Sequence, residues 1–228
     1  MREKEIVQWL DFIKKDAAAL FLVGDIFDFW FEYKYVIPKG FIRFLGKLAE
    51  LSDQGVALYL YTGNHDLWIN EYISSQLNSE LFRSPQQFTI NEMKFFVGHG
   101  DGLGPGDNFF KFVKKIFMNP FCQWMFRWVH PDIGVALARL WSSSSRKIDD
   151  ESIEDIKVEK EALITYSKNI EATEHHDLYI FGHRHLPLNI SIDDHCRYIN
   201  LGEWFTQKQY GVFNGKSFEL KSFNELDI

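Results

Sequence analysis

At 228 residues the chain is long enough to bury one sizeable core, and its composition excludes the disordered and fibrous classes. A formal charge of −7 excludes broad non-specific binding to nucleic acid, which needs Lys and Arg to neutralise phosphates. Cys122 and Cys196 form no C-x-x-C pair, which fits a reducing cytoplasm, and no apolar run reaches the roughly 18 residues of a membrane-spanning helix.

Ile6, Val7, Trp9, Leu10 and Ile13 fall at helical spacing and predict an amphipathic helix over residues 3–16. The apolar run 18–23 then stops at Gly24-Asp25, as a buried strand ending in a loop does. The pattern repeats. Phe41, Phe44, Leu45, Leu48 and Leu51 predict a helix over 39–53, and 56–61 is the next strand, ending at Gly63-Asn64. Alternation of this kind implies βαβ units and a parallel sheet. Segments 87–90 and 94–97 read as strands, the second running into Gly98-His99-Gly100-Asp101. From Asp107 to about Glu171 the pattern is helical and rich in Phe and Trp, which predicts a helical insertion within a single domain. Strand-like runs return at 178–181, 188–192, 197–201, 210–213 and 218–223, and predict a second, largely antiparallel sheet.

Four strand ends carry residues of one chemical kind: Gly24-Asp25-Ile26-Phe27-Asp28, Gly63-Asn64-His65-Asp66, Gly98-His99-Gly100-Asp101 and Gly182-His183-Arg184-His185. Loops beyond the carboxyl ends of strands in open α/β sheets converge on one crevice, so these residues can meet in space. Two metal ions roughly 3.5–4 Å apart need a bridging carboxylate and further ligands that leave room for water and phosphate. Asp25 is the natural bridge, Asn64 offers an amide oxygen, and His99, His183 and His185 offer imidazoles. That mixed nitrogen and oxygen set suits manganese, iron or zinc. Alternation along an extended segment predicts His183 and His185 on the same side of it.

In this order the motifs resemble those of the calcineurin-like metallophosphoesterases, over nearly the whole chain. The resemblance implies a four-layer αββα sandwich of two mixed sheets and two divalent metal ions, taken here as Mn²⁺. It also implies in-line attack on phosphorus by water, with no covalent intermediate. By position it makes Asp25 the bridge, Asn64, His99 and His183 ligands of one metal, and His185 a ligand of the other. His65 stands beside the phosphate to stabilise charge or protonate the leaving group, oriented by Asp66. The family's D-x-H motif has no counterpart before Asp25, which leaves the second metal with Asp25 and His185 alone. The expectation is a sequence that starts late. A non-catalytic binding module on the same scaffold is the rival reading.

Within the family the resemblance is greatest to the lipid A branch, which cuts the pyrophosphate of UDP-2,3-diacylglucosamine. Gly24-Asp25-Ile26-Phe27-Asp28-Phe29-Trp30 looks like that branch's extended second motif. Asp107 matches the spacing of a substrate-contacting aspartate, beside Asn64, His65 and His183 as substrate contacts. Members of the branch often carry Arg where this chain has His65, so another phosphoester is the alternative substrate. The aromatics of the insertion fit acyl chains, or else pack only on each other. Lys111, Lys114 and Lys115, interleaved with Phe109, Phe110 and Phe112, fit an interfacial helix in peripheral contact with the inner membrane. Arg146, Lys147, Lys157 and Lys160 are further candidates for substrate phosphates or a plain surface face.

Overall fold

The computed structural model describes residues 2–106, 108–146 and 161–224. Helix α1 (Arg2–Ile13), strand β1 (Ala19–Val23), helix α2 (Ile42–Asp53) and strand β2 (Ala57–Tyr61) follow one another. β1 and β2 pair in parallel, from Ala19 opposite Ala57 to Val23 opposite Tyr61, as a helical crossover requires. Phe41 stands in the left-handed region at φ 57°, so α2 begins three residues later than its apolar periodicity suggests. Helix α3 (Glu71–Gln76) and strand β3 (Glu80–Phe82) are too short to leave a periodic signal; β3 extends the sheet by parallel pairing with β2.

Strands β4 (Gln86–Ile90), β5 (Met93–Gly98), β6 (Leu178–Phe181), β7 (Pro187–Ser191) and β8 (Arg197–Leu201) form a second sheet in the order β4-β5-β6-β8-β7. This corrects the largely antiparallel expectation. Its centre, β5-β6-β8, is parallel, and only the outer pairs β4-β5 and β7-β8 are antiparallel. The long connection from β5 to β6 is the crossover that makes parallel pairing possible. Strands β9 (Gln209–Phe213) and β10 (Phe218–Ser222) pair as a separate antiparallel ribbon, so the described residues hold three sheets rather than two.

Period-two alternation sorts each strand's side chains between layers. Leu20, Leu58 and Leu60 join Trp9, Leu10, Phe44, Leu48 and Leu51 in a core between the first sheet and α1 and α2. Their neighbours Phe21, Val23 and Tyr61 turn the other way, onto Phe95, Val97, Leu178, Ile180 and Ile199 of the second sheet. The opposite side of that sheet, Phe96, Tyr179, Phe181 and Tyr198, packs on Leu163 and Ile164 of helix α7 (Ala162–Glu171). Helix, sheet, sheet and helix are therefore stacked in four layers.

Between β5 and α7 lie helices α4 (Asn108–Phe117), α5 (Pro120–Phe126) and α6 (Pro131–Arg146). Asn119 caps α5 by accepting the Phe121 amide at 2.9 Å, with Pro120 in the first turn where its missing N–H costs nothing. Phe117, Met118 and Phe126 pack onto Phe31, Leu67 and Trp68 beside the strand ends, and the Trp68 indole donates to the Phe117 carbonyl at 2.7 Å. Phe109, Phe112, Phe121, Trp124 and Trp128 stay exposed. The aromatics of the segment are thus divided between a packed face and a bare one.

Candidate metal centre

Each candidate ligand lies just past the end of a strand: Asp25 after β1, Asn64 after β2, His99 after β5 and His183 after β6. Parallel pairing puts those ends on one edge of the two facing sheets, and the side chains meet there. His99 Nε2 is 3.2 Å from Asp25 Oδ2 and 3.2 Å from Asn64 Oδ1. His183 Nδ1 is 3.0 Å from the same amide oxygen. One ligand atom from each of Asp25, His99 and His183 lies within 4.8 Å of the others.

The donor chemistry fits a divalent cation. On its far side, the His99 ring places Nδ1 2.8 Å from the Val23 carbonyl, so Nδ1–H donates and Nε2 faces Asp25 and Asn64. Locking one imidazole nitrogen on a carbonyl to aim the other is the usual support of a metal-ligating histidine. Burial lowers the pKa of His99, but the Asp25 carboxylate outweighs it and pushes the value up to about 9. The field that holds a proton at Nε2 equally favours a cation there. Burial raises the pKa of Asp25, yet the imidazoles of His99 and His65 overcome this and hold the carboxyl well below the usual range. Burial and the neighbouring His99 drive His183 down to about 4, leaving it a neutral imidazole as a ligand must be.

Backbone strain is present here. Asp25, His183 and His185 are non-glycine residues in the left-handed region, at φ 51°, 67° and 54°. Such a conformation costs roughly 1–2 kcal/mol for a residue with a Cβ, though Asp and His adopt it more readily than most. Holding three candidate ligands there requires the surrounding bonds to over-determine the loops. The two glycines beside Asp25 act through close approach: a Cβ on Gly63 would sit 2.2 Å from Asp25 Oδ1, and one on Gly24 would sit 2.4 Å from His99 Nδ1.

Three expectations are corrected. The segment 183–185 is not extended: the Arg184 amide donates to the Gly182 carbonyl at 2.8 Å, and both histidines have positive φ, so strand alternation does not set their directions. His183 reaches Asp25 and His99, and His185, expected to serve the other metal, stands outside that group. Asp66 does not orient the His65 ring. Its buried carboxylate accepts backbone amides, from Gly63 at 2.7 Å on Oδ1 and from Ile26 at 2.7 Å and Phe27 at 3.3 Å on Oδ2. His65 is tied to the centre by its amide, which donates to Asp25 Oδ1 at 2.8 Å. Finally, two of the three α4 lysines turn inward: Lys111 donates to the Gly104 carbonyl and Lys114 pairs with Asp101. Asp107, Lys147, Lys157, Lys160 and the Arg146 side chain lie outside the described residues.

The sequence reading missed Asn200, fully buried at the end of β8. Its Nδ2 donates to the Gly182 carbonyl at 2.5 Å, and its Oδ1 accepts the Gly202 amide at 3.1 Å, which ties down the loop that carries His183. The only signal available was a polar residue inside an apolar strand run.

The model of the calcineurin-like phosphoesterases matches residues 2–187. The chain belongs to the calcineurin-like phosphoesterase family. Among curated relatives of this phosphoesterase, the UDP-2,3-diacylglucosamine hydrolase of Porphyromonas gingivalis is 34% identical, over 99% of this chain and 91% of its own length. The enzyme of the same name from Vibrio atlanticus is 29% identical, over 94% of this chain and 88% of its own.

Proposed function

We propose that the chain hydrolyses the pyrophosphate of UDP-2,3-diacylglucosamine to UMP and 2,3-diacylglucosamine 1-phosphate. The observation that carries this reading is the meeting of Asp25, Asn64, His99 and His183 at one edge of the paired sheets. The names of its relatives supply the substrate. In this reading Asp25, Asn64, His99 and His183 hold one divalent cation, manganese by its tolerance of mixed oxygen and nitrogen ligands, and His185 with Asp25 serves a second. Divalent cations held by these residues would supply charge to neutralise phosphoryl oxygens and to lower the pKa of the attacking water.

The chain's own groups do the rest. Asp25 stays ionised and neighbours the phosphate site without titrating near neutrality. The His65 amide is fixed on Asp25, which leaves its imidazole to donate to a phosphoryl oxygen or to the leaving oxygen. Water adds to the uridylyl phosphorus, the bond to the bridging oxygen breaks, and the diacylglucosamine phosphate leaves. Asp107 is assigned to the substrate's polar head by its spacing from His99. The acyl chains need apolar surface, and Phe109, Phe112 and Trp128 offer it, at 75%, 60% and 78% exposure. The same surface suits peripheral contact with the cytoplasmic face of the inner membrane.

The test is release of UMP from UDP-2,3-diacylglucosamine with added Mn²⁺. Loss of that release on chelation is the expected result. Cleavage of generic phosphodiesters without UMP release would point to another phosphoesterase activity, and Mn²⁺ binding without any hydrolysis to a binding module.

A further inference from the structure

Helix α4 and the residue before α7 each meet a ligand-bearing loop at an ion pair whose carboxylate is buried and whose cation is partly exposed. In the first pair, Lys114 Nζ lies 2.6 Å from Asp101 Oδ2 and 3.2 Å from the Asp101 carbonyl. Asp101 is 4% exposed and stands two residues after His99. One turn earlier on α4, Lys111 donates to the Gly104 carbonyl at 2.6 Å. In the second pair, Glu161, 5% exposed and immediately before α7, lies 3.1 Å from a guanidinium nitrogen of Arg184. Arg184 is the residue between His183 and His185. Gly100, next to Asp101, packs closely on α7: a Cβ there would lie 2.9 Å from Leu163 Cδ1, with His183 Cβ at 3.6 Å.

A buried carboxylate deprived of its cation is left uncompensated in a poor solvent. Neither α4 nor the start of α7 can therefore shift without carrying a ligand loop along or leaving a buried carboxylate without its cation. We propose that Lys114–Asp101 and Glu161–Arg184 are latches, positioning residues that fix His99 through one pair and His183 and His185 through the other. The seating of α4 and of the start of α7 then sets the geometry of the metal ligands. By linkage, a substrate that reseats either one changes metal affinity, and metal changes substrate affinity by the same factor. This inference rests on the metal-centre reading above.

The decisive variants are Lys114→Met and Glu161→Ala, with Lys114→Arg as the conservative control. Amide hydrogen exchange reads the latches without metal or substrate. Lys114→Met is expected to speed exchange in residues 98–104 and spare 182–186, and Glu161→Ala the reverse. In Mn²⁺ calorimetry both weaken binding by about 10–100-fold, and kcat falls more than KM rises. Lys114→Arg stays within about threefold of the unaltered chain. If one variant fails to fold, the other decides. The double variant Lys114→Met, Asp101→Asn separates positioning from stability: removing both charges restores the melting temperature, while Mn²⁺ binding stays weak. Recovery of melting temperature and Mn²⁺ affinity together would overturn the latch, as would unchanged exchange in both loops of the single variants. If the unaltered chain neither binds Mn²⁺ nor releases UMP, the metal-centre reading fails, and the exchange pattern still decides the latch.

Discussion

The amide of Ile26 donates to Asp66 Oδ2 at 2.7 Å, so the loop carrying Asp25 and the loop carrying Asn64 and His65 share one buried carboxylate. Asn at position 66 presents one acceptor oxygen and one donor group where two acceptors now serve three amides. Asp66→Asn is expected to leave at least one buried N–H unpaired, lowering stability by about 1–3 kcal/mol. Mn²⁺ affinity should fall by about 10–100-fold, as when a metal ligand loses its support. Thermal melts of metal-free protein and calorimetry together check it.

Gly63→Ala and Gly46→Ala should act in opposite directions. A Cβ at Gly63 collides with the Asp25 carboxylate and with the Asp25 backbone nitrogen, 2.6 Å away. The forced shift should cost roughly 1–3 kcal/mol and remove metal-dependent turnover. Gly46 lies exposed within α2 with open space around it, and Ala there should stabilise the chain by about 0.5–1 kcal/mol with activity unchanged. Denaturant unfolding of the two variants side by side is the measurement.

Asp25→Ala and His183→Ala each delete a group that the proposed cation site requires. Turnover is expected to drop by about 10²–10³-fold or more in each, with the fold retained. Near-normal rates in a folded variant would remove that residue from the site.

A pH effect is expected away from the centre. His175 Nδ1 lies 2.5 Å from Glu171 Oε1, and this bond raises the histidine's pKa above its ordinary value. Burial raises the pKa of Glu171, but bonds from His175, the His176 amide and the Tyr179 hydroxyl outweigh it and lower the value. The histidine's contribution is complete below pH about 6.5 and is lost as pH rises through its folded value. The glutamate's is present above about 4.5 and is lost as pH falls. Both act together only between those limits, and His175 is exposed enough that solvent screening keeps its share to a few tenths of about 1 kcal/mol. In an NMR titration His175 should titrate above an ordinary histidine and return toward it in Glu171→Gln.

Much of this architecture is legible in the chain because each element carries its own period. The parallel pairing of β1 with β2 follows from helix alternating with strand, and the candidate ligands follow from four short motifs placed at strand ends. What escaped were relationships that no period records. The left-handed turn at His183 and His185 depends on a bond from Arg184 to Gly182, and a reading of alternate residues takes that stretch for a strand. Lys114 and Lys115 are equivalent in sequence, yet one is paired with a buried carboxylate and the other faces solvent, because only the packing of α4 on the strand ends distinguishes them. Asp66 looked like a catalytic accessory by its place beside His65, and its three backbone bonds make it a brace between loops.

The stacking of four layers also governs where the sequence is free to drift. Every residue of β6 is buried, Leu178 and Ile180 toward one sheet, Tyr179 and Phe181 toward a helix. In a saturation library such a strand should display no alternation of tolerated and forbidden positions. Exposed positions on α2, by contrast, should accept most residues. A map of tolerance along the chain would then trace β6 as an unbroken intolerant block leading directly into the loop of His183, so that selection for folding and selection for chemistry fall on adjoining residues.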